Sequence, residues 1–195
     1  MTELRHTPSG TTPLNRPSDN AASFEALVAA HLDAAYNLAR WLARDATLAQ
    51  DIVQDAMVRA LTYFSTFRGE NPRGWLLQIV RNVALGEIDK RKRATVSIDA
   101  QAQSSEMATD AALIDTAIGP EEAANRADDE RRVSECVARL PLELRECLVL
   151  REWEDLSYKE IARVIEVPIG TVMSRLWRAR QLLAELLGEG LEPKP

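Results

Sequence analysis

Between residues 171 and 180 the chain places Thr171, Ser174, Arg175 and Arg178, with Arg180 at the flank. At about 100° per residue the first four share a helical face roughly 130° from a stripe of Val172, Leu176, Ala179 and Leu183. One face packs and the other is free. The free face has the chemistry for DNA. A guanidinium bonds a guanine edge through two N–H groups or neutralises a phosphate, and hydroxyls near a helix N-terminus donate to phosphates or bases. A solvated amphipathic helix shares that periodicity, so the preceding elements decide. Ser157 and Glu160 have capping-box spacing, and the helix they open carries Ile161, Ala162, Val164 and Ile165 before breaking at Glu166-Val167-Pro168. A second helix begins near Pro168, a residue suited to a first turn. Short helix, three-residue turn and second helix make a helix-turn-helix.

Other chemistry finds little support. Cys136 and Cys147 are the only cysteines and have no histidine beside them, so they read as small buried hydrophobes in a reduced, cytoplasmic chain. The two histidines lie far apart, and His31 falls on an apolar helical stripe, where packing outweighs metal binding. There is no phosphate-cradling glycine loop and no nucleophile elbow, so no enzyme, catalytic residue, metal or cofactor is expected. The N-terminal stretch lacks the apolar core of a signal peptide, and no run of about 18 apolar residues exists, so neither secretion nor membrane insertion is expected. The net charge is −6, whereas unaided DNA binding needs uncompensated bases, so charge distribution matters more than the sum.

The remaining elements read as helices. Residues 1–22 are rich in Pro, Thr and Ser and predict a flexible tail. From Ser23 as N-cap, Phe24, Leu27, Val28, Ala35, Leu38, Ala39 and Leu42 follow helical spacing. A second helix opens with a Thr47/Gln50 capping box and buries Ala49, Ile52, Val53, Ala56, Met57, Ala60 and Phe64. Asp51, Gln54 and Asp55 then lie almost opposite that face, toward solvent or a partner. A loop follows around Arg68-Gly69-Glu70-Asn71-Pro72, and Tyr63, Phe64, Phe67 and Trp75 at helical spacing predict core. A third helix runs from about Arg73 to the basic run Lys90-Arg91-Lys92-Arg93. Between Asp99 and Glu130 nine carboxylates face only Arg126, which predicts a mobile acidic connector, with Ala111 to Ile118 able to form a short helix. Helical spacing returns near Asp128 with Val133, Val137 and Leu140, then Leu144 to Trp153. The predicted fold is all-α: a tail (1–22), a helical domain (23–94), a flexible acidic linker (95–127), a second helical domain containing the helix-turn-helix (128–188) and a tail (189–195).

Residues 156–183, LSYKEIARVIEVPIGTVMSRLWRARQLL, closely resemble the C-terminal domain of sigma-70-type factors of bacterial RNA polymerase. Residues 49–61, AQDIVQDAMVRAL, are similar to that family's polymerase-binding segment, and residues 72–93, PRGWLLQIVRNVALGEIDKRKR, to its promoter-melting segment. Two domains in this order resemble the small extracytoplasmic-function group, from Phe24 to Gly188. The resemblance implies that Asp51, Gln54 and Asp55 contact the coiled-coil clamp of core RNA polymerase. It implies that Arg68 to Asn71 hold a base flipped from the minus-10 element of promoter DNA, with Arg81, Asn82, Lys90, Arg91, Lys92 and Arg93 beside the opened strands. Thr171, Ser174, Arg175, Arg178 and Arg180 would face the minus-35 element, and an anti-sigma factor would restrain the protein.

Two departures bear on detail. Glu166 stands where the family usually has glycine, which predicts a turn of different shape, since a left-handed backbone there costs on the order of 1 kcal/mol. Met173 replaces a basic residue common in the family. The alternative function is a stand-alone helix-turn-helix regulator binding operators as a dimer, against which the polymerase-binding and promoter-melting segments weigh. The linker acids are also placed either to compete with DNA for the basic segments or simply to keep a flexible tether soluble and extended.

Overall fold

The computed structural model describes residues 17–68, 71–97 and 120–189. The described residues form helices α1 (Pro17–Ala43), α2 (Ala46–Phe64), α3 (Pro72–Ser97), α4 (Pro120–Arg139), α5 (Leu142–Glu152), α6 (Tyr158–Ile165) and α7 (Ile169–Glu189), with no strand among them. The all-α expectation holds. The tails up to residue 16 and from 190, residues 98–119 of the acidic connector, and with them the short helix suggested at 111–118, lie outside the described residues.

Helices α1, α2 and α3 pack on one another around Leu38, Leu42, Ile52, Leu76, Leu77 and Val80, all buried. Helix α7 packs on α4, α5 and α6 through Val172, Leu176 and Ala179, the stripe its periodicity predicts. The two groups also touch, α3 against α6 and α1 against α5, so one core cluster runs from Leu38 and Leu76 to Leu150, Ile161 and Leu176. Both cysteines are buried as free thiols. Burial, aided by the neighbouring Glu146 charge, raises the Cys147 thiol to about 11, so it stays protonated at neutral pH.

Several boundaries differ from the sequence pattern. Helix α1 opens at Pro17, ahead of Ser23, with proline at a first-turn position. Helix α2 is capped by Asp45, not by a Thr47/Gln50 box. The Asp45 carboxylate accepts from Leu48 N–H at 2.7 Å, while Arg44 just before it takes a left-handed φ of 60° that turns the chain out of α1. Asn71 Oδ1 accepts from Gly74 N–H at 2.8 Å at the start of α3, which then runs on past Arg93 to Ser97. Helix α4 opens at Pro120, ahead of the pattern's start near Asp128, so the last acids of the expected connector are helical. Tyr63 is 57 % exposed and leaves the predicted core. Phe64, Phe67 and Trp75 do pack, with ring centroids 6.4 Å (Phe64 to Trp75) and 4.7 Å (Phe67 to Trp75) apart.

The turn between α6 and α7 keeps the left-handed shape that glycine would favour. Glu166 sits at φ 57°, ψ 46°, with Val167 N–H donating to Ala162 C=O at 3.1 Å, so the expected change of turn shape does not occur. The Glu166 carboxylate accepts from Gln78 Nε2 at 2.7 Å, a contact to α3 that a glycine could not make.

Candidate nucleic-acid interface

Helix α2 turns Asp51, Gln54 and Asp55 outward, because Ala49, Ile52, Ala56 and Ala60 fill its buried side. Asp55 is 3.8 Å from Arg59, one turn on, an exposed pair of little energetic weight. The same outer face continues into Val58 and Leu61, both exposed. The three polar residues therefore form one end of a strip whose other end is apolar. Sequence reasoning missed these two, although the helical wheel that exposes Gln54 exposes them as well.

The α2–α3 turn and α6 enclose a cavity of about 390 Å³. Phe67, Arg68, Asn71 and Trp75 line one side of it, and Glu160, Arg163 and Val164 the other. Arg68 donates to its own turn, to Ser65 C=O at 2.9 Å and Phe67 C=O at 3.3 Å. Asn71 donates to Glu160 Oε1 at 2.8 Å, which fastens the turn to α6. Glu160 also serves as the return arm of the capping box, accepting from Ser157 N–H at 2.8 Å and Ser157 Oγ at 2.6 Å. Those bonds hold its carboxyl below the usual carboxylate range.

Along α3, Asn82 and the run Lys90 to Arg93 are exposed. Lys90 pairs with Glu87, Arg91 lies 4.0 Å from Asp45, and Arg93 Nε donates to Asp89 C=O at 3.2 Å. Arg81 is different. Its Nε donates to Glu146 Oε2 at 2.8 Å, and its Nη2 approaches Oε1 at 3.4 Å.

The helix-turn-helix face divides in the same way. Ser174 and Arg178 face outward and Thr171 is half-buried, its carbonyl accepting from Ser174 Oγ at 3.0 Å. Arg180 is exposed and pairs with Glu152 at 2.7 Å, which raises its pKa. Arg175 does not share the outward face with Ser174 and Arg178: its Nη1 donates to Glu146 Oε1 at 3.1 Å. Arg81 and Arg175, one from each helical group, thus meet on a single carboxylate that is 2 % exposed. Nothing in the local pattern of LELRECLVLRE marked Glu146 as buried. The only signal was its place among Leu144, Cys147 and Leu148.

Beside this triad, buried Glu154 accepts from Asn37 Nδ2 at 2.6 Å and pairs with Arg73. Buried Arg145 donates to Ala138 C=O at 2.8 Å, Leu140 C=O at 3.1 Å and, across the seam, Leu42 C=O at 3.4 Å. Burial, with the Arg44 charge nearby, lowers its pKa to about 10. Among the described residues no group of three or more histidine, cysteine or acidic side chains could hold a metal ion, and no helix is long and apolar enough to cross a membrane.

A capped helix-turn-helix joined to a three-helix group with a basic, aromatic-lined end defines a transcription protein that handles DNA. Known proteins agree. Residues 27–94 match the description Sigma-70 region 2, and residues 130–183 match Sigma-70, region 4. The RNA polymerase sigma-H factor of Pseudomonas aeruginosa is 36% identical over 144 residues, 73% of this chain and 75% of that protein. The ECF RNA polymerase sigma-E factor of Haemophilus influenzae is 34% identical over 137 residues, 68% of this chain and 71% of that protein. Among solved structures, the sigma factor RpoE in complex with the anti-sigma factor NepR from Bartonella quintana superposes with a TM-score of 0.66 at 26% identity, covering 85% of this chain and 97% of that one. CnrH in complex with the cytosolic domain of CnrY gives a TM-score of 0.59 at 26% identity, covering 88% and 92%. The chain belongs to the sigma-70 family of RNA polymerase sigma factors, in its extracytoplasmic-function group. Its function is that of a sigma factor, and a stand-alone operator-binding regulator is not favoured.

Proposed function

We propose that this sigma factor divides its work between its two helical groups. The α2 face of Asp51, Gln54 and Asp55, extended by Val58 and Leu61, binds core RNA polymerase. Arg68 and Asn71 at the α2–α3 turn, with Arg81, Asn82, Lys90, Arg91, Lys92 and Arg93, take the minus-10 element as it opens. Thr171, Ser174, Arg175, Arg178 and Arg180 take the minus-35 element. Residues 23–94 and 128–188 form the two working domains, with 95–127 as their connection and 1–22 and 189–195 as tails. The chain acts in the cytoplasm without a cofactor and without catalysis of its own, since bond formation belongs to core polymerase. Both structural relatives are solved with partner proteins, the sigma factor RpoE with the anti-sigma factor NepR and CnrH with the cytosolic domain of CnrY, and an anti-sigma partner is proposed here as well.

One observation carries this reading: each helical group turns outward a polar or basic face that its own core does not use, Asp51, Gln54 and Asp55 with Lys90 to Arg93 on the first, Ser174 and Arg178 on the second. Unstacked bases suit the turn because aromatic rings and polar groups line it and cations lie along the helix that follows. Run-off transcription with core polymerase tests it. Promoter-directed transcripts are expected only when the chain is added, and Arg178→Ala is expected to lower use of the upstream element, with about 1–3 kcal/mol less discrimination if it reads a base. Transcription indifferent to the chain would overturn the division of labour.

A further inference from the structure

We infer that Met173 and Trp177 are specificity-determining residues of α7, an apolar half of its outward face that reads the C5-methyl groups of thymine in the upstream promoter element. This rests on the proposed seating of α7 against DNA.

Met173 is 54 % exposed and Trp177 is 64 % exposed, one helical turn apart. A single exposed apolar side chain is ordinary on a protein surface. Here Ile169, also exposed, precedes the pair at the same spacing, so successive turns of one helix keep large apolar groups in water. The packing of α7 does not use them. Its buried side is Val172, Leu176 and Ala179, and neither core cluster includes Ile169, Met173 or Trp177.

Place on the helix identifies the occupant. At about 100° per residue Trp177 falls roughly 60° from Ser174, with Met173 about 40° further round. Because Arg175 turns inward to Glu146, the outward face is centred on Ser174 and Trp177. Gly170 lies between those two in angle, at the first turn, and nothing stands within 4 Å of the place a Cβ would take. A base edge can come close to bare backbone there.

The chemistry of the face divides accordingly. Ser174 and Arg178 carry donors, which tell bases apart by hydrogen bonds. Thymine alone of the four bases presents a methyl group in the major groove, and an apolar side chain rewards it. A thioether on a flexible stem can follow that methyl group, and an indole offers it a broad apolar plane. Removing one methyl group from water is worth about fourfold in affinity.

The test uses the full chain bound to core RNA polymerase and promoter DNA with a randomised upstream element. Selection for binding gives the preferred element, in which one or two A·T pairs are expected to be fixed. Each thymine of that element is then replaced by deoxyuridine, which pairs in the same way and lacks only the methyl group. The parent, Met173→Ala, Trp177→Ala and Arg178→Ala are compared by affinity and by run-off transcription, with circular dichroism as the check on folding.

Deoxyuridine at one or two positions is expected to weaken the parent about fourfold each. Met173→Ala and Trp177→Ala should each bind the thymine template less well and lose the thymine-to-deoxyuridine difference at one position, whereas Arg178→Ala keeps it. A parent indifferent to deoxyuridine everywhere, or an element without a fixed A·T pair, overturns the inference. So do alanine variants that weaken thymine and deoxyuridine templates alike, as a protein partner on the same stripe or a DNA-backbone contact would make them. Arg178→Ala separates this failure from that of the underlying reading. If the element still depends on Arg178, methyl reading alone falls; if neither Arg178 nor any thymine matters, α7 does not read the upstream element at all.

Discussion

The two helical groups are held together by different means. Inside α1, α2 and α3 the buried side chains are aliphatic, alanine and leucine above all, and every buried charged side chain among the described residues belongs to the other group: Arg145, Glu146 and Glu154. Each of the three bonds across the seam, to Leu42 C=O, to Arg81, and to Arg73 and Asn37. Aliphatic burial is non-directional and is lost only when the group unfolds. Buried ion pairs contribute little net stability yet demand their partners, so they suit a surface that is sometimes covered and sometimes wet. The first group is held by aliphatic burial alone, and the second meets it through buried charged groups.

The largest expected effect breaks the scaffold. Leu76→Ala opens a cavity where no solvent reaches and is expected to lower unfolding free energy by about 2–5 kcal/mol in urea. A loss under 1 kcal/mol would mean that the aliphatic group is loosely packed and the contrast is false. Glu154→Ala sharpens it from the other side. A permanently buried pair broken this way costs roughly 3–5 kcal/mol. Arg73 keeps 33 % of its side chain in water with the groups together, so the loss should fall to about 1–2 kcal/mol, near that of ordinary hydrogen bonds. A cost at the upper figure would make the seam a fixed core.

Ser157→Ala removes the cap of α6 and is expected to cost about 1 kcal/mol. Glu160 adds a pH signature. Its folded pKa lies below the ordinary value, so its contribution is present at neutral pH, above the unfolded carboxylate range, and is lost as pH falls through the folded pKa. The difference between parent and Ser157→Ala in thermal melts should therefore shrink on acidification, and a gap constant down to strongly acid pH would remove Glu160 from the cap. The smallest stability effect belongs to Asp51→Ala, Gln54→Ala and Asp55→Ala. Each side chain is exposed, so each should change stability by under about 0.5 kcal/mol. Combined, they should weaken core polymerase binding in a pull-down. Undiminished binding by a folded triple variant would sink the assignment of that face.

Much of this was legible from residue order alone. The apolar stripes of α2 and α7, the Ser157/Glu160 box and the outward polar face of α2 all follow from helical periodicity and local hydrogen bonding. Caps were less legible where two candidates competed. Asp45 and Thr47 both precede an apolar stripe, and the choice fell to the residue whose neighbour, Arg44, takes the left-handed corner. The inward turn of Arg175 was not legible at all. By wheel arithmetic it lies at the edge of the free face, and its direction is set by Glu146, distant in sequence and brought near only by tertiary packing. Long-range partners of this kind carry no periodic signature.

Trp41 of α1 and Trp153 at the end of α5 lie with ring centroids 5.0 Å apart, one from each side of the seam. Aromatic rings at that spacing and tilt interact directly, and Trp153 is already part-exposed. Because the two indoles belong to different helical groups, their coupling in the near-ultraviolet and the wavelength of their emission depend on whether the groups are together. The chain carries its own optical gauge, needing no attached dye. Replacing the exposed Trp177 with Phe would leave Trp75 as the one other indole against which that gauge is read.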